Sequence, residues 1–183
     1  MTMFTMIRRT ALLSLAALLI VSLYSPALSA ASPAASSLKV PAFSATALDG
    51  RTVSSANLAG KTYIVNFFAS WCPPCRAEIP DMVELQKAYT SKGFTFVGIA
   101  VSDSEPSIRE FVRRSGISYP VVVDNGSVAS AFSPLVSGGL RSIPTSFVVN
   151  ASGRVTHVFA GARSREAFKV MIDEALGKPK TAK

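Results

Sequence analysis

The 183-residue chain predicts an α/β fold: a mixed central sheet with helices on both faces, an N-terminal β-hairpin extension and an inserted helix. Three observations carry this expectation. Apolar strand-type runs at 62–68, 94–101 and 119–123 are each followed by a helical pattern, as in parallel βαβ units. A strand pair closed across Ala151-Ser152-Gly153 follows them, so the sheet ends antiparallel. Finally, both cysteines of the chain, Cys72 and Cys75, lie where the first of those strands gives way to its helix.

The first 31 residues read as a targeting segment rather than as fold. Arg8 and Arg9 are followed by an apolar run from Ala11 to Leu23, then Pro26 and the small residues Ala27, Ser29, Ala30 and Ala31. That is the layout of a secretory signal with cleavage near Ser29–Ala31. An uncleaved inner-membrane anchor, counted from Ile7 through Leu28, is the other reading. Residues 32–39 are Ala/Ser/Pro-rich and read as a linker. The folded domain is expected over 40–177, with a basic tail over 178–183.

Within the domain, Val40 to Leu48 and Arg51 to Val53 flank Asp49-Gly50, a hairpin signal. Ser54 to Gly60 reads as a short turn of helix. The apolar run 62–68 has the composition of a strand buried on both faces. A helix from about Arg76 to Ser91 follows, with Pro73 and Pro74 in its first turn, where a missing N–H costs little. Ile79, Met82, Val83 and Leu85 form its apolar stripe; Pro80 lies within it and cannot donate to the Arg76 carbonyl. Asp103 or Ser104 caps the next helix, which runs to Ser115 and stops at Gly116. Ser127 to Phe132 is a short helix, Phe147–Asn150 and Arg154–Phe159 are the hairpin, and Ser164 caps a last helix over Arg165–Leu176. Phe67, Phe68 and Phe147 are assigned to the core. His157, Arg113, Arg114, Arg163 and Arg165 are assigned to solvated surface or a strand edge.

Hydrophobic residues make up 49% of the chain and charged ones 16%, which supports a packed core and not a disordered chain. The formal charge is +8, yet the cations are scattered and no Lys/Arg block is interleaved with aromatics. No nucleic-acid partner is expected.

The chemistry is expected at Trp71-Cys72-Pro73-Pro74-Cys75. A structural disulfide here would close a loop too small to constrain the unfolded chain. A structural zinc site needs four ligands, and the chain has two cysteines and one histidine. Cu(I) held by two thiolates remains open. A cysteine just before a helix sits at the positive end of the helix dipole, which favours its thiolate. Cys72 is therefore the expected nucleophile, and Cys75, nearly one turn on, the resolving thiol. Pro73 and Pro74 withhold two N–H donors from that thiolate, which argues for a reductant. Trp71 flanks the pair and is a candidate substrate contact.

The Trp-Cys-Pro-Pro-Cys motif, its preceding strand and its proline-interrupted helix resemble thioredoxin. Leu140-Arg141-Ser142-Ile143-Pro144-Thr145 resembles thioredoxin's second signature, a loop whose cis-proline opposes the dithiol. The signal, the hairpin, the inserted helix, Cys-Pro-Pro-Cys-Arg-Ala-Glu-Ile-Pro and Ile117-Ser118-Tyr119-Pro120 make the chain similar to the TlpA/ResA-like thiol–disulfide oxidoreductases of the thioredoxin superfamily, over about Val40 to Leu176. The resemblance implies a thioredoxin-like fold, Pro144 as the cis-proline and Ile143 as the residue whose backbone pairs with a substrate chain. It also bears on proton transfer. Where thioredoxin has a buried Asp, this chain has Asn66, which cannot accept the proton. In the ResA-like branch a Glu three residues after the second cysteine is the substitute, here Glu78.

The implied activity is a periplasmic reductant of protein disulfides in cytochrome c maturation or respiratory copper-site assembly. Its clients would be an apocytochrome c or a copper-site protein, and its electron donor a membrane dithiol protein of the DsbD/CcdA type. The protein is expected to be a monomer with no metal and no cofactor beyond the Cys72–Cys75 disulfide. The alternatives are a disulfide-forming oxidase and a non-enzymatic copper-handling thiol module.

Overall fold

The computed structural model describes residues 38–177. The expected signal or anchor (1–31), residues 32–37 of the expected linker and the tail at 178–183 lie outside them. The linker's last two residues do not behave as linker: Leu38–Lys39 form β1, paired antiparallel with Val155 and Arg154. Sequence pattern could not reveal this, because a two-residue strand has no periodicity.

The elements then follow in the expected order. Strands β2 (Ser44–Thr46) and β3 (Thr52–Ser54) pair antiparallel across the Asp49-Gly50 turn. Residues 55–60 form hydrogen-bonded turns rather than the expected helix. Here the Ser54 Oγ accepts from the Asn57 amide and the Ser54 carbonyl from the Leu58 amide, and Gly60 follows at φ +80°. Next come β4 (Thr62–Phe68), α1 (Pro73–Tyr89), β5 (Phe94–Ala100), α2 (Glu105–Ser115), β6 (Val121–Val123) and α3 (Ser127–Phe132). Strands β7 (Thr145–Val149) and β8 (Arg154–Ala160) and helix α4 (Arg165–Ala175) complete the fold. Helix α1 begins three residues earlier than its apolar stripe suggests, because both prolines are accommodated at its N-terminus.

The six-stranded sheet has the order β1-β8-β7-β4-β5-β6, with β4, β5 and β6 parallel and the other pairings antiparallel. Strand β4 is central and buried along its whole length, which explains its unbroken apolar run. Its side chains alternate between two cores. Ile64 and Phe68 join Ile79, Met82 and Leu85 of α1, Ile108 of α2 and Phe168 and Ile172 of α4. Tyr63, Val65 and Phe67 join the hairpin residues Phe43 and Val53 and the α3 residues Val128 and Phe132. Phe132 packs edge-on against Phe43, Phe67 and Phe147, with ring centroids 4.9–5.5 Å apart. In β5, Gly98 leaves room for its neighbours: a Cβ there would lie 3.0 Å from the Phe68 ring and 3.2 Å from a Val121 methyl.

This arrangement puts the C-terminal ends of β4 and β5 beside the start of β7. The loops that follow or precede those ends hold every residue singled out for chemistry, apart from Cys75 and Glu78 in the first two turns of α1.

Candidate active site

The strand-to-helix junction is built from Ala69 to Cys75. Cys72 caps α1 in an extended conformation (φ −83°, ψ 111°), as a residue before proline should, and its carbonyl accepts from the Arg76 amide at 3.1 Å. Cys72 and Cys75 are joined in a disulfide with their Cα atoms 5.3 Å apart. Cys75 is fully buried and Cys72 nearly so. The sulfur of Cys72 lies at the positive end of a 17-residue helix, where a released thiolate is favoured.

Opposite the disulfide, the Ile143–Pro144 peptide is cis. The Ile143 carbonyl oxygen is 3.8 Å from Cys72 Sγ. Ser142, which stands where thioredoxin has glycine, is not among the residues with positive φ, so its side chain meets no backbone penalty. The loop before it is organised by Ser133, whose Oγ accepts from the Leu140 amide at 3.1 Å. Gly138 and Gly139 turn the chain there at φ +78° and +84°.

Trp71 is 59% exposed, an unusual state for the largest apolar side chain of the protein. Its ring is nevertheless held: Nε1 donates to the Ser102 carbonyl at 3.0 Å. Ser102 is the one non-glycine with positive φ among the described residues (φ +52°). The next residue, Asp103, accepts from both the amide and the hydroxyl of Ser70, each at 2.7 Å. The β5–α2 loop thus grips the two residues before Cys72. Sequence reading missed this role for Ser102 and Asp103, and considered Asp103 only as a helix cap. Trp71, Val101, Ser102, Ala129, Leu140, Arg141, Ser142 and Ile143 enclose a cleft of about 350 Å³ beside the disulfide.

Glu78 lies one turn beyond Cys75 and is only 2% exposed, so it is not an ordinary solvated helix carboxylate. Its Oε1 accepts from Asn66 Nδ2 at 2.9 Å and its Oε2 from the Arg163 amide at 3.1 Å. Burial pushes its pKa up to about 7, against the opposing pull of those two hydrogen bonds. Asn66 also donates to Ser146 Oγ at 2.9 Å, so a polar cluster links β4, α1 and β7 under the dithiol. Arg163, assigned to surface, contributes its backbone to this cluster, while its guanidinium stacks 4.7 Å from the Phe159 ring. His157 is half-buried on β8, with Nε2 3.3 Å from a Glu174 carboxylate oxygen on α4 and away from the dithiol. No cluster of three or more metal-ligating side chains occurs among the described residues.

The arrangement is a redox-active cysteine pair at a helix N-terminus, a peptide-like edge facing it and a buried titratable carboxyl behind it. Comparison with known proteins agrees with that chemistry. The Redoxin family profile matches residues 35–175. The thiol-disulfide oxidoreductase ResA of Halalkalibacterium halodurans is 30% identical over 127 residues, covering 69% of each chain. The crystal structure of a thiol:disulfide interchange protein, a thioredoxin family protein from Chlorobium tepidum TLS, superposes with a TM-score of 0.73 at 50% identity, covering 76% of this chain and 96% of that one. A secreted Mycobacterium tuberculosis disulfide oxidoreductase homologous to Escherichia coli DsbE superposes with a TM-score of 0.61 at 26% identity, covering 72% and 95%.

Proposed function

Because the chain belongs to the Redoxin family and is a thiol–disulfide oxidoreductase of the ResA/DsbE type with a thioredoxin-like fold, we propose that it acts as an exported reductant of protein disulfides. The observation that carries the reading is the dithiol turn, with Cys72 Sγ 3.8 Å from the Ile143 carbonyl and beside an open cleft. A client strand laid along Ile143 brings its own disulfide to Cys72.

In the reduced enzyme the Cys72 thiolate attacks one client sulfur. The client S–S bond breaks, a Cys72–client bond forms and a client thiolate leaves. Glu78, ionised above about pH 7, takes the proton of Cys75. The Cys75 thiolate attacks Cys72 Sγ, the mixed disulfide breaks and the second client thiolate leaves. The client gains two electrons, and the enzyme ends as the Cys72–Cys75 disulfide. A membrane dithiol protein of the DsbD/CcdA type then restores the dithiol.

The direction rests on Pro73 and Pro74, which offer the Cys72 thiolate no N–H and so leave the dithiol form less stabilised than in an oxidant. The cellular setting is export to the periplasm, supported by the N-terminal segment and by the secreted relative. Among the described residues no helix is long and apolar enough to cross a membrane. Clients of this class are the haem-binding cysteines of an apocytochrome c or the cysteines of a respiratory copper site. No cofactor or metal enters this cycle.

The test is trapping. The Cys75→Ser variant should accumulate a mixed disulfide through Cys72 with a cytochrome or copper-site client, and the wild-type Cys pair should be found reduced in cells. A resting disulfide in cells, with a reduction potential near that of a strong oxidant (about −120 mV), would make it an oxidase instead.

A further inference from the structure

The cleft beside Cys72 is apolar on most of its walls, through Trp71, Val101, Ala129, Leu140 and Ile143. One charged residue lines it, Arg141, and no Asp or Glu does. Arg141 is exposed, and its side chain makes no hydrogen bond or ion pair among the described residues. Arg163 donates to the Gly161 and Ala162 carbonyls, Arg109 holds Glu105 and the Leu48 carbonyl, and Arg76, exposed on α1, is not among the residues lining the cleft. The loop that carries Arg141 is not slack, since the Ser133 hydroxyl and the Gly138-Gly139 turn set its path. An unpaired guanidinium at the edge of an apolar cleft keeps more of its attraction for an anion that enters the cleft than one surrounded by water.

Arg141 stands two residues before Ile143, on a backbone that bends at Ser142, Ile143 and Pro144. A client strand laid along Ile143 with its cysteine at Cys72 brings residues close to that cysteine to the cleft that Arg141 lines. The chain's formal charge of +8 would also steer acidic partners toward it.

We propose that the Arg141 cleft selects client segments that carry an acidic residue close to the reactive cysteine. This rests on the reading of Cys72 as the attacking sulfur.

The test uses the full chain with Cys75→Ser, which stops at the mixed disulfide. Three extended peptides each carry one cysteine, capped by 2-mercaptoethanol, with Glu, Gln or Lys placed two residues to either side of it. Adduct formation is followed by mass, and each rate is divided by that of the same peptide with dithiothreitol, which removes the intrinsic effect of the neighbouring charge. At low salt the Glu peptide should react about fivefold faster than the Gln peptide, and the Lys peptide slower by a similar factor, as for a well-placed exposed ion pair. The order should collapse in 1 M salt. It should persist in Arg141→Lys and reverse in Arg141→Glu. Equal normalised rates for the three peptides, or an unchanged order in Arg141→Glu, overturn the inference and leave the reading of Cys72 intact. Absence of an adduct with all three peptides, or equally fast adduct formation by Cys72→Ser with Cys75 intact, overturns that reading as well.

Discussion

Asn66 Nδ2 donates to Glu78 Oε1 at 2.9 Å, from the central strand to the helix that carries both cysteines. The pair occupies the space under the dithiol. Asn66 cannot accept a proton, but it donates to a carboxyl group, which can. Burial raises the pKa of Glu78 and the bond from Asn66 lowers it, and burial is the larger effect. The result, about 7, is where a proton acceptor is most useful at neutral pH.

The first prediction concerns Glu78→Gln. Exchange through Cys75 in the wild type should rise as pH passes through about 7, and this step should be missing from the variant's pH profile. Stability carries a matching signature. The folded-state pKa lies above the unfolded value of 4.5, so the stability Glu78 contributes is fully present below that value and is lost as pH rises through about 7. The loss is on the order of 3 kcal/mol for a shift of this size. The variant lacks that pH dependence, though it leaves one of the two donors poorly matched. Urea midpoints at pH 5 and pH 8 should fall for the wild type and change much less for the variant.

Asn66→Ala removes the donor that favours the ionised carboxylate. The Glu78 pKa should move further up, by about one unit for a hydrogen bond to a charged group. The rise of the exchange rate with pH should shift upward by the same amount. Ser146 Oγ loses its donor as well, so stability should drop by about 1–3 kcal/mol in urea denaturation. An unshifted pH profile would mean that the Asn66 bond does not tune Glu78.

Asp103→Ala tests the grip on the dithiol loop. The Asp103 Oδ2 accepts two hydrogen bonds from Ser70, and alanine supplies no side-chain acceptor for either. Hydrogen exchange at the Ser70 amide should accelerate at least tenfold, while that of Phe67, inside β4, stays slow. Global stability should fall by about 1–3 kcal/mol. Unaltered exchange at Ser70 would show that the neighbouring Trp71–Ser102 bond alone holds the loop.

Much of the molecule is written locally. Apolar runs, proline and glycine positions and the capping serines mark β4, β5, α2, the β7–β8 hairpin and α4 within a residue or two. Ser104 and Ser164 each accept from an amide three residues on, as their positions before helical patterns imply. The dithiol turn is equally local, because a strand, two cysteines, two prolines and a helix start are consecutive. What sequence could not decide was anything that depends on a partner far along the chain. Glu78 has the same spacing whether it is solvated or buried, and only the packing of Asn66, Ser146 and the Arg163 amide, 85 residues away, makes it a buried carboxyl. Leu38–Lys39 look like linker until β8 pairs with them. Asp103 reads as a helix cap until the end of β4 brings Ser70 against it. Local propensity thus specifies where the cysteines sit in the chain. The tertiary fold specifies what surrounds them, because burial and long-range hydrogen bonds exist only once the sheet has closed.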